Sequence, residues 1–265
     1  MLSNKLRYKV SQAISPLVGK NIIIAFSGGV DSTVVARILQ DAAKKIKLIT
    51  VTSEWISKQE LDEAKEIADQ LGLPHEVLKV DVDNTHQFWK NPPDRCFHCK
   101  KLIFSQLHDL AMREGYEIVV DGTNASDIGG HRPGLKALEE LSVYSPLRNG
   151  GLSKTEVREI ADFYELSVAK KPAMACLASR IPYGEKISIQ TLSRVEKAET
   201  FLRSLDFSFQ FRVRDHGNLA RLELAPESIK DIFSKDIDFI VHELKELGYR
   251  YVTLDLEGYR PITPD

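Results

Sequence analysis

An apolar run, Asn21–Phe26, ends in Ser27-Gly28-Gly29-Val30-Asp31-Ser32-Thr33 and passes directly into a helical pattern over Ser32–Lys44. Few loops constrain a fold as tightly as this one. The two glycines let backbone N–H groups turn inward and approach an anion closely. Ser27, Ser32 and Thr33 add hydroxyl donors, and the helix N-terminus behind them favours negative charge. Asp31 would repel a phosphate directly, so its expected task is magnesium ligation or bracing of the loop. There is no Walker lysine, so this is not the common P-loop. Gly28-Gly29 alone is also what an ordinary strand-to-helix turn looks like.

The alternation of strand and helix continues to about Lys171. Lys47–Thr52, His75–Val80 and Glu117–Val120 read as strands, and Lys58–Leu71 and Phe97–Glu114 as helices. A further helix starts at Ser153, where Ser153 and Glu156 have capping-box spacing. Short apolar strands separated by helices predict an α/β fold with a parallel sheet covered on both faces. Ligands in such sheets bind at the C-terminal strand ends. The style changes near Ile187. Ser188–Leu205 reads as one amphipathic helix, Phe207–Arg214 and Leu219–Leu224 as strands, Pro226–Leu247 as helical and Tyr251–Leu256 as a last strand. The expected organisation is a nucleotide-binding domain over 1–186 and a smaller α+β domain over 187–265. Pro182 and Gly184 suit the junction.

Composition bounds the function classes. Thirty-six Lys and Arg against thirty-eight Asp and Glu give a net charge of -2, which argues against a dedicated nucleic-acid binder. Met1–Lys9 has no apolar signal core and Ile22–Phe26 is too short to span a membrane, so a cytoplasmic protein is expected. Three cysteines do not make a disulfide framework.

The cysteines concentrate the remaining chemistry. Cys96 and Cys99 follow Pro92-Pro93-Asp94-Arg95 and fall in the first turn of a helix, where backbone N–H groups favour thiolates. Such a pair serves as a redox pair, half a zinc site, part of an iron–sulfur site or simply two buried thiols. Cys176 lies among small residues, and Arg180 is placed to depress its pKa or to hold a phosphate or carboxylate. Asp121-Gly122-Thr123-Asn124 follows a strand and leads to Asp127, His131 and Arg132. Arg212 and Arg214 are two apart on a strand and share a face, which suits a phosphate clamp, or a solvated face with Glu223 as cross-strand partner.

The Ser27–Thr33 loop resembles the PP-loop of the ATP pyrophosphatases, which cleave ATP to AMP and pyrophosphate. Together with Pro92-Pro93-Asp94-Arg95-Cys96, Cys99-Lys100, Asp121–Asn124, Arg132-Pro133-Gly134 and Ala175-Cys176-Leu177-Ala178-Ser179-Arg180-Ile181-Pro182-Tyr183-Gly184, it resembles the LarE sulfur transferases over nearly the whole chain. The resemblance implies ATP at Ser27, Gly28, Gly29, Asp31 and Ser32, adenine near Thr52 and Ser53, and Gly122 and Asn124 on the rim. It implies a catalytic site of Cys176, Asp31 and Arg180, with magnesium bridging the phosphates. The implied small-molecule substrate is pyridinium-3,5-biscarboxylic acid mononucleotide, whose carboxylates become thiocarboxylates for the nickel-pincer nucleotide. Arg212 and Arg214 would hold its phosphate, and Glu199, Glu223 and Asp231 match a second metal site. One branch of the family sacrifices the cysteine matching Cys176. Another holds a [4Fe-4S] cluster on three cysteines, and with Cys96, Cys99 and Cys176 present the cluster branch is the expectation. The resemblance also implies a homo-oligomer, without nucleic acid or membrane, and leaves the sulfide donor unknown. The alternatives are a PP-loop tRNA thiolation enzyme, sulfur donation from Cys176 itself, an amide-forming PP-loop synthetase, and a non-enzymatic nucleotide-binding module.

Overall fold

The computed structural model describes residues 2–83, 86–128, 132–172, 175–205 and 210–260. His131 and the expected strand positions Phe207–Phe209 lie outside these. The chain gathers into two units, Met1–Asp83 with Asp94–Met174, and Asn84–Pro93 with Ala175–Asp265.

Among the described residues of the first unit, strands β1 (Asn21–Ala25), β2 (Lys45–Thr52), β3 (His75–Lys79) and β4 (Ile118–Val120) form a wholly parallel sheet in the order β3-β2-β1-β4. Its helices are α1 (Asn4–Ile14), α2 (Val30–Leu39), α3 (Lys58–Leu71), α4 (Arg95–Glu114), α5 (Pro133–Glu140), the short α6 (Pro146–Asn149) and α7 (Lys154–Phe163). The sequence Ile22-Ile23-Ile24 shows why the sheet is covered on both faces. Ile22 and Ile24 enter one core with Val34, Val35, Val157 and Ile160, whereas Ile23 enters another with Phe104 and Leu107. A central parallel strand has no solvent face, so its apolar run is continuous rather than alternating. The order reverses between β1 and β4, and the crevice beyond that switch point is where such sheets take ligands.

Helix ends follow local chemistry. Ser57 accepts from the Glu60 amide to start α3, and Gly72 ends it in the left-handed region. Ser153 and Glu156 complete the capping box of α7. Helix α2 stops at Leu39, short of the expected Lys44, because the next residues turn back. The Lys44 and Lys45 amides then reach the Lys20 carbonyl at 2.9 and 3.4 Å, and β2 starts at Lys45 opposite Asn21. Helix α1 was not expected from its mixed sequence. Ser3 caps it and buried Leu6 and Ala13 anchor it.

In the second unit, β5 (Phe211–His216) and β6 (Leu219–Leu224) are antiparallel, and β7 (Tyr251–Leu254) runs parallel to β6. Helices α8 (Ile189–Ser204) and α9 (Ile237–Glu246) complete it, with Leu202, Val213, Leu222 and Leu244 in its core. The expected helical stretch Pro226–Leu247 divides into a 3-10 segment, Pro226–Ser234, and α9, which Asp236 caps. The expected α/β class with a smaller α+β part is thus observed. No single cut separates the units, because Asn84–Pro93 joins the second. There the Gly184 and Ile187 amides donate to Asn91 and Trp89 carbonyls, each at 2.9 Å. Among the described residues, no helix is long and apolar enough to cross a membrane.

The second unit also buries charge. Arg180 donates to both oxygens of Glu199, at 2.8 and 2.9 Å, and the Val213 amide adds a bond of 3.1 Å to the same carboxylate. Arg180 and Glu199 are 3% and 2% exposed. Removing one partner of such a pair strands the other without water. Glu199→Ala is expected to lower unfolding stability by about 3–5 kcal/mol in urea titrations, and Glu199→Gln by less.

Candidate active site

The loop leaving β1 turns on one residue. Gly28 has φ +64°, and a Cβ placed on it would lie 2.6 Å from the Ala64 Cα in α3. Only glycine meets both demands, since a side chain is strained there and also has no space. The turn delivers Gly29 to the N-cap of α2 with no side-chain cap. Helix geometry leaves the Val30, Asp31 and Ser32 amides without carbonyl partners within α2, while Thr33 donates to the Gly29 carbonyl. Ser27 and Ser32 hydroxyls stand 3.3 Å apart, and the Thr33 hydroxyl bonds Gly29 O at 2.9 Å. Open amides, hydroxyls and a helix N-terminus together make an anion-binding turn at the C-terminal end of β1.

The loop after β4 packs against this turn. A Cβ on Gly122 would lie 2.8 Å from the Ser32 nitrogen, so this glycine sets how closely the two loops approach. Asp121 is buried and collects the Ser145 and Thr123 hydroxyls, which fixes the loop's shape. Asn124, also buried, donates to Asp31 Oδ1 at 3.1 Å and accepts from the Ser126 amide at 2.9 Å. Lys154 Nζ bonds the other Asp31 oxygen, Oδ2. Lys171 Nζ donates to the Gly28 carbonyl at 3.0 Å and pairs with Glu63 at 2.7 Å. These two lysines were missed in the sequence. Lys154 did carry a signal, because a cation in the first turn of α7 opposes the helix dipole and calls for a nearby anion. Lys171 carried none.

Beside the turn lies a mostly apolar cavity of about 170 Å³, lined by Phe26, Ser27, Thr50, Val51, Ile103 and Phe104 among others. It sits at the carboxyl ends of β1 and β2, the region expected for adenine. Its strand lining is Thr50 and Val51 rather than Thr52 and Ser53. Thr50 is fixed by a hydroxyl bond to the Phe26 carbonyl at 2.8 Å, and His75 Nε2 meets the same hydroxyl at 2.8 Å. With the Thr50 proton given to Phe26, His75 must donate, which sets its tautomer. Burial pushes the His75 pKa down, so the ring favours the neutral form. Ser53 Oγ is buried and has no hydrogen-bond partner among the described residues.

Among the described residues, no three His, Cys, Asp or Glu side chains gather to hold a metal ion. Cys96 is exposed and Cys99 half-buried on α4, and Cys176 is half-buried ahead of Leu177–Arg180. A cubane needs three thiolates converging on one volume, so the [4Fe-4S] cluster on Cys96, Cys99 and Cys176 is withdrawn. Magnesium fares no better, since both oxygens of Asp31 are engaged by Asn124 and Lys154. ATP, counted with these as a cofactor, belongs instead among the substrates of the reaction considered below. Glu199 is bound to Arg180, Glu223 to Arg214 and Arg221, and Asp231 lies exposed on the 3-10 segment.

Cys176 caps the 3-10 turn Leu177–Arg180 and is partly exposed. Arg180 bonds the carbonyls of Ala175 and Cys176 and the Ser179 hydroxyl, so it holds the backbone around the thiol. Arg214 bonds Glu223 at 2.8 Å and the carbonyls of Ser179 and Arg260, and Arg212 lies over the Tyr259 ring. Burial, followed by the neighbouring Arg180 charge, lowers the Arg212 pKa from its ordinary value.

Residues 20–163 match the model of a family of unknown function (DUF7411). An uncharacterized protein of Synechocystis sp. is 41% identical over 90% of this chain and 89% of its own length. The pyridinium-3,5-bisthiocarboxylic acid mononucleotide synthase of Lactiplantibacillus plantarum is 35% identical over 91% of this chain and 87% of its own. The tRNA-specific 2-thiouridylase MnmA of Rickettsia typhi is 28% identical over 57% of this chain and 52% of its own. Relatives with such different named products support ATP-dependent enzymatic activity in general. They do not single out an acceptor, so the expected specificity for the nickel-pincer precursor, and membership of a three-cysteine cluster branch, are withdrawn with the cluster. The chain belongs to the family of unknown function (DUF7411) and to the same family as its 35–41% identical relatives, within the PP-loop type of ATP-using enzymes.

Proposed function

We propose that this protein is an adenylating sulfur transferase that draws its sulfur from the thiol of Cys176. The observation that carries the reading is the glycine turn at the end of β1, with open amides beside an apolar cavity. That arrangement suits a triphosphate with its base tucked against the carboxyl ends of β1 and β2. The named products of the synthase and of the thiouridylase both carry sulfur, which supports sulfur insertion as the common chemistry.

In the proposed reaction an acceptor oxygen attacks the α-phosphorus of ATP, and the bond to pyrophosphate breaks. The adenylated acceptor carbon is then electrophilic, because AMP is a good leaving group. The Cys176 thiolate attacks that carbon and AMP departs with the acceptor oxygen. Breaking the Cys176 Cβ–S bond, with loss of the α-proton, leaves the sulfur on the acceptor and dehydroalanine at position 176. Arg180 serves as a positioning residue, since its bonds to Ala175 and Cys176 carbonyls hold the segment rigid around the sulfur. Arg212 is assigned to a negatively charged part of the acceptor, whereas Arg214, with its nitrogens bonded to Glu223 and to the Ser179 and Arg260 carbonyls, braces the segment beside it.

A tRNA acceptor is the competing choice, suggested by the thiouridylase relatives. The net charge of -2 gives no general support for a polyanion surface. Binding of bulk tRNA that weakens steeply with salt would favour it.

Intact mass after turnover should fall by the elements of hydrogen sulfide in the wild type, and Cys176→Ala should form the adenylate without thiolating. Sustained thiolation by Cys176→Ala would sink the donor assignment. Gly28→Ala should lower stability by about 1–3 kcal/mol and weaken ATP binding about tenfold or more, read by calorimetry. Unchanged ATP affinity in that variant would place the nucleotide elsewhere.

A further inference from the structure

We propose that Lys154 and Lys171 receive the pyrophosphate portion of ATP, supplying from two distant segments the positive charge that the loop itself lacks. This rests on the adenylation reading of the same site. The loop Ser27–Thr33 contains no lysine or arginine, and it does contain Asp31. A triphosphate entering there meets an uncompensated carboxylate unless cations are brought in from outside. Two are. Lys154 opens helix α7 and reaches Asp31, and Lys171 lies beyond that helix and reaches Gly28 and Glu63.

Folding alone does not account for this convergence. The side chains of Lys154 and Lys171 are 32% and 19% exposed, so both ammonium groups remain open to solvent while held by their partners. Lys154 also occupies the first turn of a helix, the end where the dipole disfavours a cation. The placement makes sense if a stronger anion joins Asp31. An ammonium group has three N–H donors. Among the described residues, Lys154 donates one to Asp31, and Lys171 donates one to the Gly28 carbonyl while forming an ion pair with Glu63. The remaining donors serve a phosphate without either lysine leaving its present partner.

The arrangement also fits the reaction. Negative charge grows on the pyrophosphate oxygen as its bond to the α-phosphorus breaks, and prearranged donors at that point lower the barrier. Asp31 then orients Lys154, and Asn124 orients Asp31. AMP lacks the two outer phosphates and gains nothing from either lysine.

The test compares ATP, pyrophosphate and AMP affinities by calorimetry in wild type, Lys154→Met and Lys171→Met. Each variant is expected to lose about tenfold or more in ATP and pyrophosphate affinity and less than about twofold for AMP. If a variant does not fold, the wild type carries the test through amine acetylation read by mass spectrometry. Pyrophosphate should protect Lys154 and Lys171 and leave exposed Lys65 reactive, whereas AMP should protect neither. Wild-type affinities retained in both variants, or both lysines acetylated at the same rate with and without saturating pyrophosphate, would overturn the assignment and leave the adenylation reading standing. Wild-type protein that binds neither ATP nor pyrophosphate would overturn both.

Discussion

The approach of Gly28 to Ala64 fixes the geometry of the whole candidate site. A methyl group more at position 28 would run into the backbone of α3. Because that contact admits only glycine, the chain can turn sharply enough to aim the first amides of α2 into the crevice beyond β1. Gly122 repeats the logic from the other side of the sheet's switch point, where its lack of a Cβ lets the loop after β4 rest on the Ser32 nitrogen. Asn124 comes within reach of Asp31 as a result, and Lys154 closes the group. Two missing side chains thus bring Asp31, Asn124 and Lys154 together.

The second unit solves a different problem. It holds the Ala175–Arg180 segment in shape by burying charges rather than by apolar packing alone. Arg180 joins the backbone at Ala175 and Cys176 to Glu199 on α8, and Glu199 in turn accepts from the Val213 amide on β5. Buried ion pairs of this kind cost desolvation and return it only when every donor and acceptor is satisfied. Here both Glu199 oxygens and the arginine's nitrogens are engaged. An apolar replacement would pack, but it would leave the Ala175 and Cys176 carbonyls unheld.

Much of the fold was legible because its signals are local. Helix α3 runs over Lys58–Leu71 as expected, with Ser57 starting it and Gly72 stopping it. The parallel sheet followed from short apolar strands such as Asn21–Phe26 alternating with helices, and β6 keeps its expected limits. What was not legible depends on distant parts of the chain. The spacing of Cys96 and Cys99 says that two thiols share one turn of a helix, and nothing about where Cys176 lies. Three cysteines therefore suggested a cluster that the described residues do not assemble. The excursion of Asn84–Pro93 into the second unit rests on backbone bonds from Gly184 and Ile187, which leave no trace in composition. Lys171 reaches Gly28 across most of the first unit's sequence. Lys154 alone among the missed residues advertised itself, as a cation at the wrong end of a helix.

The central claim is cleavage of ATP at its α-phosphorus, and the most direct measurement is exchange of radiolabelled pyrophosphate into ATP. The enzyme should return label to ATP when an acceptor is present, and AMP should be the nucleotide product of full turnover. Release of ADP and inorganic phosphate, with no label entering ATP, would contradict the account at its root.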